Sequence, residues 1–236
     1  MKKTILNVVY IGSGVLAFGL FAGGACAGYM RVLGPFAAFQ LFVVGMLIGL
    51  IVAVAGVVDA AKHGVSTKSI ILVMGMLPTC VLGVLVVQGR DYPMINDVTT
   101  DLVFPPEFVH AKTIEANADL SMDFPLEFKE DIESSYSDLI PLAKLLSVDD
   151  TYFQAMDVVK GITNWEITAN RIDGKDSYIE GTVTSKVFGF VDDFVIRIAG
   201  AGGGGCVVDM RSRSRSGKGD FGQNAEHIRL FMKQIE

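Results

Sequence analysis

Three long stretches of the chain carry no charge, and the remainder alternates between apolar and polar residues. No Asp, Glu, Lys or Arg occurs from Thr4 to Tyr29, from Val32 to Val58 or from Ser69 to Gly89. Each run reaches the roughly 20 apolar residues that cross a bilayer core. A hydrocarbon interior admits only segments whose backbone hydrogen bonds close internally, so three transmembrane helices are expected. Met1-Lys2-Lys3 resembles the start of a signal peptide, but the run behind it exceeds the usual apolar length of about 7–15 residues. Cys26 follows Gly23-Gly24-Ala25 and lacks the aliphatic residue a lipoprotein site wants three positions earlier. Cleavage and lipidation stand as the alternatives to a first span.

Small residues recur every three or four positions in the second run, at Gly45, Gly49, Ala53 and Gly56, and in the first at Gly19/Gly23 and Gly24/Gly28. That spacing lets helix backbones approach closely, which is how packing replaces the hydrophobic effect in lipid. The stripe serves either a three-helix bundle within the chain or docking onto another membrane subunit. Pro78 is expected to kink the third span. The uncharged runs offer no ionisable path for an ion or proton.

Beyond residue 90 the pattern changes. Pro93, Pro105, Pro106, Pro125 and Pro141 interrupt every candidate element, so 90–146 reads as an extended lead with short helical pieces. "SVDDTYFQAMDVVKG" predicts a helix capped by Ser147 and stopped at Gly161, with Tyr152, Phe153, Met156 and Val159 apolar. "NWEITANRI", "YIEGTVTSKVFGF", "DDFVIRIAG" and "CVVDMRSRSR" predict strands. In the last, Cys206, Val208, Met210, Ser212 and Ser214 share one face, and Val207, Asp209, Arg211, Arg213 and Arg215 share the other. Phe194, Ile196 and Ile198 oppose Arg197 in the same way. The arginines are therefore expected on the polar face of an antiparallel sheet with one face buried. After a Ser216-Gly217-Lys218-Gly219 turn, Asp220 and Gln223 predict a capping box, and Phe221, Ile228, Phe231, Met232 and Ile235 an apolar helical stripe.

The expected fold is a membrane-anchored α+β protein: three N-terminal transmembrane helices, then an antiparallel sheet of about four strands flanked by helices. Its domains are 1–89, 90–146 and 147–236.

Charge adds an orientation. Five Lys or Arg and one Asp precede residue 90, while 15 and 25 follow, so the first part is +4 and the rest −10. Lys2, Lys3, Lys62 and Lys68 place the N-terminus and the 59–68 loop in the cytoplasm by the positive-inside rule, against Arg31 alone between the first two spans. The remainder is then exported, to the periplasm of a Gram-negative host, with the spans in the inner membrane. An acidic exported domain argues against nucleic acid as partner. Cys206 is alone in that part, so no disulfide forms within it.

"FGFVDDFVIRI" followed by "VVDMRSRSRSGKGDFGQNAEHIRLFM" resembles the domain-of-unknown-function family numbered 1499. The likeness covers roughly 150–235. The family's pattern falls here on Asp192, Asp193, Arg211, Ser212, Ser214, Arg215, Gly217, Asp220, Gly222 and Asn224. Departures are Arg213 where a small residue is usual, Ser216 where an apolar one is, and His227 where a basic one is. The resemblance implies a domain type and no settled reaction.

Two readings compete for the arginines. In one, Arg211, Arg213 and Arg215 form a cross-strand ladder with Asp209, Glu180, Glu166, Asp192 or Asp193. In the other they join Lys218, Arg197, the turn amides and a helix N-terminus as an anion or lipid-headgroup site. Asp192 and Asp193, as neighbours on a strand, are expected to point to opposite faces, which disfavours a joint catalytic role. His63, His110 and His227 are scattered, and His227 is expected to be solvated; no metal set or triad follows from spacing. No cofactor is expected. The expected function is a non-catalytic membrane-anchored module that binds a protein partner or an anionic, amphipathic ligand, such as an accessory subunit. The alternative is a hydrolase or other enzyme using the Asp and Arg cluster.

Overall fold

The computed structural model describes residues 2–64 and 68–236. Residues 65–67 of the 59–68 loop lie outside the described residues, as do the side chains of Lys2, Lys3, His63 and Lys68, on which the expected orientation rests. The chain divides into two compact units, Met1–Asp91 with Lys186–Gly189, and Tyr92–Ser185 with Phe190–Glu236.

The first unit holds three helices, α1 (Lys2–Tyr29), α2 (Pro35–His63) and α3 (Lys68–Gly89). Each contains a stretch long and apolar enough to span a membrane: Val9–Tyr29, Pro35–Lys62 and Leu72–Gly89. The small residues lie where these helices meet. A Cβ on Gly45 would collide with the backbone of Phe21 and Ala17, one on Gly24 would stand 2.5 Å from Phe42 N, and one on Gly49 3.0 Å from Pro78 Cβ. Gly56 faces the Leu72 side chain. Ala53 is buried as well. The α2 stripe therefore packs inside the bundle, whereas Gly19 and Gly23 face open space. Replacing Gly45 with Val is expected to separate α1 from α2, an overpacking cost of about 1–3 kcal/mol. Gly19→Val should be nearly silent in the same thermal-aggregation assay in detergent. Equal behaviour of the two variants would place the α1–α2 contact elsewhere.

The second unit is a six-stranded antiparallel sheet with helices. Its strands are β1 (Asp97–Thr99), β2 (Leu142–Lys144), β3 (Trp165–Asp173), β4 (Asp176–Thr184), β5 (Val191–Gly200) and β6 (Cys206–Ser214), and its helices α4 (Lys129–Ser135), α5 (Val148–Gly161) and α6 (Gln223–Ile235). The order is β1-β6-β5-β4-β3, with β2 also pairing β6. The four expected strands are present. Two short ones from the lead complete the edge, because β6 would otherwise present unpaired backbone groups.

One face of the sheet carries Ile179, Val183, Phe194, Ile196, Ile198, Val208 and Met210, all buried. Gly181 leaves the space that the Phe194 ring fills. Helices α5 and α6 cover this face with Ala155, Val159, Ile228, Phe231 and Ile235. The Ser147 hydroxyl accepts from Asp150 N and starts α5 as expected. Two residues leave the expected stripes: Phe153 is 66% exposed, and Phe221 is 55% exposed and precedes α6.

The other face corrects the expectation of a solvated polar surface. Residues 100–124 of the lead cross it, and Phe108, Ala111 and Met122 bury Val195 there. The sheet is covered on both sides, and Arg211 is 1% exposed. The alternation along β6 was legible as two faces. Which face met water depended on a Pro-rich segment without a secondary-structure period of its own.

Candidate functional site

The family-pattern residues gather at one end of the sheet, where β6 ends at Ser214 beside the start of β5. Strand alternation sends Asp193, Arg211, Arg213 and Arg215 to the lead-covered face, and Asp192, Ser212 and Ser214 to the helix-covered face. Asp192 and Asp193 thus diverge as expected.

On the lead side Arg197, Arg211, Arg213 and Arg215 each meet a carboxylate. Arg211 forks onto Asp97, with Nε donating to Oδ1 at 2.8 Å and Nη2 to Oδ2 at 2.7 Å. Its remaining donors reach the carbonyls of Pro106 (3.3 Å) and Met122 (3.1 Å). Arg215 forks onto Asp193 at 2.8 and 2.6 Å, and Asn117 Nδ2 donates to the same carboxylate. Arg197 donates to Asp209 and to Asp101. Arg213 is held least: its Nε stands 3.4 Å from Asp97 Oδ2, and its Nη1 donates to the Met122 sulfur. Burial lowers its pKa.

The cross-strand partners named from sequence are partly replaced. Asp193 and Asp209 serve, Asp209 with Arg197. Glu180 does not pair with an arginine; its carboxylate accepts the backbone amides of Val109, His110 and Ala111 at 2.9–3.0 Å. Glu166 is exposed. Asp97 and Asp101, the new partners, come from the lead. Their only sequence signal was "DVTTD", a short alternation ahead of a Pro-rich tract.

On the helix side a polar network replaces the apolar core. Asn224, fully buried, accepts from the Ser212 hydroxyl (2.7 Å) and donates to Ser214 Oγ (2.9 Å) and Asp220 Oδ2 (2.7 Å). Asp220 accepts the amides of Gly222 (2.8 Å) and Asn224 (2.9 Å) and so grips the entry to α6, although it stands two residues before the N-cap and not at it. The box is not reciprocal, however. Helix α6 starts at Gln223, which is exposed, and the Asp220 amide donates to Ile95 O (3.2 Å). Gly222 takes the N-cap position at φ 77°, a left-handed conformation that favours glycine.

His227 also departs from expectation. Its ring lies edge-on to Trp165, 5.8 Å between centroids, and burial drives its pKa down to about 4. Asp192 Oδ2 is 3.8 Å from Nδ1, and Ser212 Oγ is 3.4 Å from the same nitrogen. Burial raises the Asp192 carboxyl to about 6, against the pull of a Ser214 hydrogen bond and with the repulsion of Asp220 and Asp193. A Ser-His-Asp relay uses opposite nitrogens of the ring, whereas both partners here address one.

Lys218 is exposed in the turn. A separate cleft of about 270 Å³ is lined by Val109, His110, Arg171, Tyr178 and Glu180 among others. Arg171 stacks 3.5 Å over the Tyr178 ring there, and its Nη1 is buried without an acceptor.

Compared with models of protein families, residues 97–235 match the family described as "Protein of unknown function (DUF1499)". The match starts at the first residue of β1, so it takes in the lead as well as the sheet. No curated protein and no solved structure matches the chain.

Proposed function

The chain belongs to the DUF1499 family, and on that premise we propose that it is a non-catalytic, membrane-anchored binding module. Its motif shapes one end of a sheet and does not run a reaction. One observation carries this reading: the charges of the motif are spent inside the fold. Arg211 and Arg215 are forked onto Asp97 and Asp193, and Asp220 is occupied by two amides and Asn224. Groups so fixed hold a surface in shape, whereas a catalytic acid, base or nucleophile needs a free face toward substrate.

In this proposal the three apolar helices cross the inner membrane with the N-terminus cytoplasmic, and the second unit lies in the periplasm. The ligand is a protein partner or an anionic, amphipathic molecule such as a lipid headgroup, as suits an accessory subunit of a membrane complex. Lys218 is the exposed cation of the motif turn, while Arg197, Arg211, Arg213, Arg215, Asp192 and Asp193 support the surface from behind.

Native mass spectrometry of the full-length protein, extracted from its own membranes in mild detergent, tests this. A reproducible added mass of lipid size, or a stoichiometric protein partner, is the expected result. A bare, monodisperse chain overturns the reading.

A further inference from the structure

The turn that ends the motif has a feature that internal pairing does not explain. Phe221 adopts φ 55°, a strained value for a bulky residue, and its side chain is 55% exposed. The strain is enforced from both sides. Asp220 holds the amides of Gly222 and Asn224, its own amide is tied to Ile95 O, and Asn96 Nδ2 donates to Gly217 O at 2.6 Å. These bonds fix the backbone on both sides of Phe221, and its ring stands more than half exposed.

Beside it stand two more exposed apolar residues, Tyr92 at 40% and Met94 at 76%. They are packed against the turn. A Cβ on Gly222 would stand 2.5 Å from the Tyr92 ring, and one on Gly219 would stand 2.7 Å from Met94 Sδ. Lys218 is exposed in the same turn. The sheet register places the start of β5 at this same end. The opposite end carries the 173–176 turn and the glycine-rich 200–205 loop.

Chain connectivity says what this end faces. Tyr92 comes three residues after Gly89, the last residue of α3. Three residues reach at most about 11 Å, against a headgroup layer of roughly 5–8 Å on each side of the hydrocarbon core. Tyr92 therefore leaves the spanning helix within or next to the interfacial zone, where aromatic rings sit and lysines extend toward phosphates.

We propose that Tyr92, Met94 and Phe221, flanked by Lys218, form a bilayer-contacting surface that inserts into the phospholipid interface. This rests on the reading that the three helices span the membrane. The part of the chain from residue 90 onward carries a net charge of −10 (15 Lys and Arg against 25 Asp and Glu), so apolar insertion and not bulk attraction drives the contact.

The test uses full-length protein reconstituted into phosphatidylcholine–phosphatidylglycerol vesicles with acyl chains brominated near the headgroup. Tryptophan is introduced as Phe221→Trp, with Met94→Trp as a second reporter that avoids the strained position. Ile172→Trp, at the far end of the sheet, and Val84→Trp, in α3, are references, and the signal of native Trp165 is subtracted. Phe221→Trp and Met94→Trp are expected to be quenched by lipid at least about twofold more than Ile172→Trp, and shielded from aqueous iodide. Quenching of both by iodide, with Val84→Trp still quenched by lipid, overturns the proposal and leaves the anchored reading intact. Absence of lipid quenching at Val84→Trp overturns the anchored reading itself.

Discussion

Replacing Arg211 with Ala is expected to unfold the second unit or bring it to the edge of unfolding. Arg211 and Asp97 are 1% and 0% exposed, and their fork is the most deeply buried ion pair described. Truncating the arginine leaves the Asp97 carboxylate in a dry site with only Arg213 nearby, at 3.4 Å. It also removes the donors to Pro106 and Met122 and the cation packed 4.8 Å from the centre of the Phe108 ring. Breaking one partner of a buried pair costs about 3–5 kcal/mol, a large share of a typical stability of about 5–15 kcal/mol. Arg211→Lys should restore little, because one ammonium cannot reproduce a planar fork. The double variant Arg211→Met with Asp97→Leu should recover much of the loss, since it buries no charge. Denaturant titration, read by the fluorescence of Trp165, measures all three. Arg211→Ala unfolding within about 0.5 kcal/mol of the parent would falsify the structural role assigned to the pair.

The second large effect is a pair of opposed pH dependences around His227 and Asp192. Asp192 is raised from 3.8 to about 6 in the fold. The folded chain therefore keeps a proton that the unfolded chain releases, and the stability this contributes below pH 4 is lost as pH rises to 6. His227 is depressed from 6.5 to about 4. Its contribution is complete above pH 6.5 and is lost as pH falls through 4. Each shift corresponds to roughly 3 kcal/mol. Between pH 4 and 6 the two slopes cancel in the parent protein, and single substitutions unmask them. Relative to the parent, His227→Gln should lose stability by roughly 3 kcal/mol as pH rises from 4 to 6.5, and Asp192→Asn should gain a similar amount from 4 to 6. Denaturation midpoints across that window supply the comparison. Two variants that track the parent in parallel would show that neither group is desolvated as placed.

These two sites differ in how far the sequence announced them. Asp192, Asp193, Arg211, Ser212, Ser214, Arg215, Asp220 and Asn224 were all legible as one pattern, and strand alternation sorted the first six onto two faces. Their partners were not. Asp97 lies 114 positions from Arg211, in a stretch too short and too broken by proline to read as a strand. His227 looked solvated because the apolar stripe of α6 suggested a polar back. The ring instead lies against Trp165, whose place opposite it follows from β3 folding back through β4. Phe221 looked like the first residue of the buried stripe; the grip of Asp220 on the next amides moved the helix start two residues on and turned the ring outward.

What the sequence by itself determined is what local periodicity and composition control. Three uncharged runs are long enough for a bilayer, glycines at helical spacing mark close backbone approach, and four strands and two helices follow from alternation and caps. Only the tertiary structure decided which surfaces meet water. The 100–124 lead covers the arginine face and converts an exposed ladder into buried pairs, because burial is set by what packs on a strand and not by the strand's own pattern. The same long-range closure brings Asp97 to Arg211 and Trp165 to His227, contacts between residues far apart in sequence that no local spacing encodes.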